Sequence, residues 1–209
     1  MMTLPEALDY GSVFVFALTG GLVASRAQLD IVGFIFVACL TALGGGTLRD
    51  IILDRPVFWL GEPSFLLVAS LAAVLVFLTA HLLESRYSAL VWLDACALAV
   101  AVPAGVTAAM VSGQPWGILL IMGIATGCFG GLMRDVVCNE VPLVLRQGEL
   151  YVTCALAGAA SAVALTANGA PLAPALIACG ATTLTLRAGS IAFGWKLPVY
   201  RPRPPRNRG

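Results

Sequence analysis

Charge is what this chain has least of. Lys, Arg, Asp and Glu make up 11% of its 209 residues, where an ordinary soluble domain carries about 25%. There is one histidine, and the six cysteines (Cys39, Cys96, Cys128, Cys138, Cys154, Cys179) form no C-x-x-C pair and do not flank it. That argues against a metal site or a disulfide framework, and the thiols read as small buried hydrophobes. No Walker A run, G-x-S-x-G elbow or H-E-x-x-H pattern is present, so the sequence points to no enzyme and implies no cofactor. The first nine residues lack Lys and Arg but contain Glu6 and Asp9. Without a basic n-region or a small-residue cleavage site, residue 10 onward is expected to be a retained first span.

What replaces charge is apolar length. Hydrophobic residues make up 59% of the chain and the mean hydropathy is +0.93. Apolar stretches of about 20 residues recur, which marks an integral membrane protein. The expected fold is all-α, with seven transmembrane helices near residues 10–25, 31–53, 64–83, 89–111, 116–138, 150–166 and 172–193. The runs are too long, and alternate too little, to be barrel strands. Trp59, Trp92, Trp116 and Trp195 fall near span ends, as interfacial anchors do.

Basic residues orient this bundle. Loops on one side hold Arg26, Arg86 and Arg146, and the tail on that side adds Lys196, Arg201, Arg203, Arg206 and Arg208; loops on the other side hold only Arg55. The positive-inside rule then places the C-terminus in the cytoplasm and the N-terminus outside, which an odd number of spans requires. The Pro-rich basic tail, residues 196–209, is expected to be a cytoplasmic anchor attracted to anionic headgroups.

Two copies of G-G-x-x-R-D interrupt the apolar runs: Gly45-Gly46-Thr47-Leu48-Arg49-Asp50 and Gly130-Gly131-Leu132-Met133-Arg134-Asp135. They lie 85 positions apart, and with that offset Asp9 falls on Asp94, Gly20 on Gly105 and Thr41 on Thr126. The single transmembrane domain, residues 1–195, thus divides into repeat one (about 8–86), repeat two (about 88–167) and a seventh helix (about 172–193). Three spans per repeat is an odd number, so the second copy enters the membrane from the opposite side and the repeats are inverted.

Each Gly-Gly pair lies about 14 residues into its span, close to mid-bilayer. Glycine costs about 1 kcal/mol relative to alanine in a helix, so the pairs are expected to break spans two and five. Gly11, Gly20, Gly33, Gly105 and Gly158 are instead expected to serve close packing. An arginine follows each pair, and an intramembrane arginine costs at least about 2.5 kcal/mol unless it meets a partner or water. Neighbouring side chains diverge by about 100° on a helix, so Arg49 and Asp50 are not expected to face each other. Asp9 is the expected partner of Arg49, and Asp94 of Arg134. Gly45, Gly46, Arg49, Asp50, Gly130, Gly131, Arg134 and Asp135 are the candidate pathway residues. Arginines and helix N-termini favour anions, whereas aspartates and freed carbonyls favour cations, so the sign of the permeant species stays open at this point. A passive cation channel, a carrier for a small zwitterion such as glycine, and a scaffold all fit the hydropathy; the intramembrane charges disfavour the scaffold.

Other residues carry weaker signals. His81 and Glu84 read as solvated interface groups, and Arg187 as a side chain snorkelling inward from the seventh span. Ala155, Gly158, Ala159 and Ala162 form a small-residue face suited to helix contact or oligomerisation.

With these motifs the chain resembles bacterial members of the trimeric intracellular cation (TRIC) channel family. The resemblance implies a homotrimer in the bacterial inner membrane, with an hourglass pore in each protomer lined by kinked spans two and five. It implies permeation by potassium and, less selectively, sodium, with membrane lipids as the other partners and no nucleic acid. Animal members carry a lysine-containing lipid motif after the first broken helix; Ile51-Ile52-Leu53-Asp54 lacks that lysine. Prokaryotic relatives have also been classed as glycine transporters, which keeps the carrier in view.

Overall fold

The computed structural model describes residues 3–83, 85–147 and 149–200. Among these the chain is helical: α1 (Leu4–Arg26), α2 (Ile31–Ile52), the short α3 (Phe58–Gly61), α4 (Ser64–Thr79), α5 (Arg86–Val111), α6 (Trp116–Val137), α7 (Tyr151–Ala167) and α8 (Leu172–Phe193). Single 3-10 turns follow α4 at Ala80–Leu82 and precede α7 at Leu143–Leu145. Six of the helices, with α4 counted through Leu82, are long and apolar enough to cross a membrane, and α7 is a shorter apolar helix of 17 residues.

Local chemistry sets the helix ends. Thr3 and Glu6 form a reciprocal capping box, and Pro5 suits the first turn. Helix α1 therefore starts at Leu4, six residues before the expected first span. Asp30 caps α2 through the Gly33 amide and Ser85 caps α5 through the Ser88 amide. At their C-termini α1, α2, α5, α6 and α7 close with paired backbone bonds of Schellman type, such as Arg55 N–H to the Asp50 carbonyl and Glu140 N–H to the Asp135 carbonyl. The turn residue is left-handed in each case, including Asp54 (φ 52°) and Asn139 (φ 54°). These turns bond the last carbonyls internally, as a helix end near hydrocarbon requires.

Helices α1, α2 and α4 pack around one cluster that includes Val13, Phe16, Val37 and Phe65. Helices α5, α6 and α7 pack around another that includes Leu98, Val102, Val106 and Tyr151. The two groups meet where α1 lies on α5 and α2 lies on α6, and α8 covers α5 and α7. Pro103 inside α5 cannot bond the Ala99 carbonyl, and Gly180 of α8 closes onto that carbonyl.

Polarity runs opposite to that of a water-soluble bundle. Arg49, Asp50, Asp94, Arg134, Asp135 and Arg187 are buried, while Val32, Leu71, Leu78 and Ile177 stand exposed. Lipid solvates the outward leucines, and only the interior offers the charges partners.

The expectations for single residues are met in part. Arg187 does not snorkel: it is buried, and its Nη2 lies 2.7 Å from Glu149 Oε2 with Tyr151 under the guanidinium. Ala155, Gly158, Ala159 and Ala162 are buried inside the chain, with Gly158 against Thr183 and the Cys179 carbonyl of α8. Cys128, Cys154 and Cys179 are buried, but Cys96 is exposed and Cys39 and Cys138 are half-buried; a thiol suits a lipid-facing surface as well as a core. Trp59 is half-buried and donates to Thr47 Oγ1 (2.9 Å), whereas Trp92, Trp116 and Trp195 are exposed. His81 is exposed; Glu84 and the tail from residue 201 lie outside the described residues.

Candidate functional site

Helices α2 and α6 cross at their glycines. A Cβ on Gly45 would strike the Thr126 carbonyl, and a Cβ on Gly130 would strike the Thr41 carbonyl, so each helix gives up a side chain to the other's backbone. Behind this crossing, Gly20 of α1 closes onto the Val37 carbonyl (2.9 Å from a built Cβ), and Gly105 of α5 closes onto the Met122 carbonyl. These contacts recur at the 85-residue spacing.

Both crossing helices are continuous: α2 runs unbroken from Ile31 to Ile52 and α6 from Trp116 to Val137. The expected break at Gly45-Gly46 and Gly130-Gly131 is therefore corrected. The glycines here permit close approach, and tertiary packing offsets their poor helix propensity. Gly46 makes room for the Phe58 ring, and Gly131 leaves space beside Asp94 and the Arg134 Nη2.

One turn beyond the crossing, each helix carries a buried guanidinium. Arg49, 1% exposed, donates from Nη1 to Asp9 Oδ1 (2.8 Å) and from Nε to Asp50 Oδ1 (2.8 Å). Asp50 Oδ2 then accepts the Phe58 amide (3.0 Å). Arg134, fully buried, donates from Nη1 to Asp94 Oδ1 (3.2 Å) and from Nε to Asp135 Oδ1 (2.7 Å). Asp135 Oδ2 accepts the Leu143 amide (2.9 Å).

The adjacent pairs Arg49–Asp50 and Arg134–Asp135 thus do face each other, against the sequence expectation. The 100° rule governs where Cβ points, but an arginine carries its guanidinium far enough to turn back to a neighbour whose short carboxylate is held by the following loop. The aspartate of each motif therefore bridges the arginine to an amide eight residues on. The sequence signal for it is the turn chemistry after both motifs: Asp54 then Pro56, and Asn139 then Pro142.

The two networks are not equal. Asp94 is fully enclosed, and its Oδ2 also accepts from the Tyr151 hydroxyl (2.7 Å), while Arg134 Nη1 reaches Thr19 Oγ1 (2.8 Å). Asp9 keeps 18% of its side chain accessible. It faces a small cavity of about 10 Å³ at the crossing, walled also by Thr41, Gly45, Gly46, Phe58 and Thr126. That is room for about one water molecule. Thr126 Oγ1 is buried there without a hydrogen-bond partner, as is Arg134 Nη2 near the other network. The structure thus brings Asp9, Gly45 and Gly46 to the cavity wall. Arg49, Asp50, Gly130, Gly131, Arg134, Asp135 and Asp94 do not line it. Thr41, Thr126, Tyr151 and Thr19 were not singled out by sequence chemistry, although the Thr41–Thr126 match lies in the repeat offset.

The fold superposes on a solved channel. The crystal structure of the TRIC trimeric intracellular cation channel orthologue from Rhodobacter sphaeroides matches with a TM-score of 0.89 and 44% identity, covering 92% of this chain and 99% of that one. The chain belongs to the TRIC channel family. A prokaryotic TRIC channel crystallised in 0.5 M KCl matches with a TM-score of 0.86 at 26% identity, over 94% of this chain and 100% of that one. By sequence, the chain is also similar to the inner membrane protein YadS of Escherichia coli K12, described as UPF0126, at 37% identity over 199 residues, covering 92% of this chain and 94% of YadS. A family model described as "Glycine transporter" matches this TRIC chain twice, at residues 6–81 and 91–167.

Proposed function

We propose that the protein is a monovalent cation channel, permeable to potassium, assembled as a homotrimer with a separate pathway between α2 and α6 of each protomer. The observation that carries this reading is the 44% identity and near-complete overlap with the Rhodobacter TRIC channel. The double match of one family model, at starts 85 residues apart, supports two inverted three-helix repeats related across the α2–α6 crossing. The pathway would narrow at Gly45, Gly46, Gly130 and Gly131, with Arg49, Asp50, Arg134 and Asp135 holding its walls and Asp9 and Asp94 neutralising the arginines.

The burial of charge favours a cation. Each guanidinium is paired with two carboxylates, Asp9 and Asp50 for Arg49, and Asp94 and Asp135 for Arg134. With both carboxylates ionised, each network carries one net negative charge and sets a cation-attracting field around the crossing. The Thr41 and Thr126 hydroxyls and the Asp9 carboxylate provide hard oxygen ligands for a partly dehydrated ion. At about 10 Å³ the cavity admits no hydrated ion, so conduction requires α2 and α6 to part. The setting is a bacterial inner membrane, with the N-terminus outside.

The family description "Glycine transporter" supports a second reading, a carrier whose substrate carboxylate would meet an arginine and whose amine would meet an aspartate. Planar-bilayer recording of the reconstituted protein under a KCl gradient decides between them. Potassium currents with a cation-side reversal potential are expected, and Arg49→Ala and Arg134→Ala should alter them more than Arg86→Ala. A silent bilayer with saturable glycine uptake into liposomes would establish the carrier instead.

A further inference from the structure

A second cavity lies away from the crossing, at the arginine-rich end of the bundle. It occupies about 330 Å³ between the first turns of α5 and the last turns of α8, with Ser88 and Trp92 on one wall, Arg187 and Ser190 on the other, and Trp195 and Lys196 at the rim. An antiparallel backbone bridge between Glu149 and Lys196 closes one side.

Its chemistry is that of an anion site. Arg187 is buried, and Glu149 holds only its Nη2; the Nε is enclosed without a hydrogen-bond partner. A guanidinium carries five donors and no acceptor, so one ion pair leaves most of its capacity unused. Lys196 stands exposed beside it, and with Glu149 counted the cavity keeps one net positive charge. Tyr87, also on the wall, lies within 5.1 Å of the Arg26 guanidinium and 5.0 Å of the Arg146 guanidinium. Its oxygen accepts from Arg146, so the phenolic proton remains free to donate.

The position fits a headgroup. Trp92 and Trp195 are both exposed, at the level where tryptophan marks the membrane interface. The other lining is mainly apolar, including Val91 and Ile191. We propose that this cavity binds a phosphate group, with Arg187 and Lys196 supplying charge, Ser88 and Tyr87 supplying hydroxyl donors, and Glu149 holding Arg187 in place. An anionic phospholipid is the source the tryptophan rim favours; free phosphate shares the same chemistry. The site is separate from the crossing and does not depend on the channel reading.

The test uses the full chain in detergent. Native mass spectrometry compares phosphatidylglycerol with phosphatidylethanolamine of the same acyl chains, and tryptophan fluorescence follows inorganic phosphate against chloride at matched ionic strength. Phosphatidylglycerol is expected to bind roughly tenfold more tightly than phosphatidylethanolamine, about the worth of one charge-assisted hydrogen bond. Lys196→Gln and Ser88→Ala, both at exposed positions, should each weaken that binding, and Arg187→Gln should abolish it. If Arg187→Gln fails to fold, the two surface variants carry the result. A phosphate-dependent fluorescence change lost in Lys196→Gln would assign the site to the free anion. Equal binding of the two lipids with no phosphate response, or variants that bind like the parent, would overturn the proposal.

Discussion

Gly45 on α2 rests against the carbonyl of Thr126 on α6, closer than any side chain could allow. Gly130 makes the same contact with the Thr41 carbonyl from the other side. The two helices are held together by what their sequences omit, and their closest approach is made of backbone.

Gly45→Ala and Gly130→Ala should therefore force a backbone shift, because the atom in the way is a carbonyl that cannot rotate aside. Each is expected to destabilise the protein by about 1–3 kcal/mol. Gly117→Ala, on α6 with nothing within 4 Å, should be neutral or stabilising by up to about 1 kcal/mol. Thermal unfolding in detergent, read by size-exclusion fluorescence, compares the three.

Thr126 separates stability from conduction. Its hydroxyl is buried without a partner, so Thr126→Val is expected to leave stability unchanged or raise it by up to about 1 kcal/mol. The same change removes an oxygen from the cavity wall, and single-channel potassium conductance should fall. A loss of both stability and current would show that the hydroxyl has a structural role.

The two arginine networks should respond unequally. Asp94→Asn leaves a fully enclosed guanidinium short of a carboxylate and is expected to cost about 3–5 kcal/mol. Asp9 reaches the cavity, so Asp9→Asn should cost less, about 1–3 kcal/mol, since water can compensate. Tyr151→Phe strips one bond from Asp94 Oδ2 and should fall in the same lower range. A double-mutant cycle on Asp9 and Arg49 should return a non-zero coupling energy.

Orientation can be read chemically. In a chain with its six cysteines replaced by alanine, Asn168→Cys in the α7–α8 turn should label from outside intact cells with an impermeant maleimide. Gln147→Cys, at the arginine-rich end, should label only after permeabilisation. The reverse pattern would invert the proposed topology.

Much of the architecture was legible because lipid imposes simple demands on sequence. Spanning segments must be long, apolar and helical, so hydropathy placed seven helices where α1, α2, α4, α5, α6, α7 and α8 stand. Charge is costly inside a bilayer, so Arg49 and Arg134 announced themselves, and the 85-residue offset tied their surroundings together. The start of α1 was missed because Thr3 and Glu6 cap the helix by a local hydrogen-bond pair that hydropathy does not register.

What the sequence by itself determined is the set of helices, the duplicated motif and the need for buried charge to be neutralised. The tertiary structure alone decided how. Helices α2 and α6 stay continuous because Gly45 and Gly130 each receive the other helix's carbonyl, from Thr126 and Thr41, more than 80 residues away in the chain. Arg49 and Arg134 turn back to their own neighbours because the following loops hold Asp50 and Asp135 through the Phe58 and Leu143 amides. Arg187 stays inside because Glu149, 38 residues earlier, comes to meet it. Periodicity fixes the direction in which a side chain leaves its helix; where a long side chain ends depends on partners that only folding brings near.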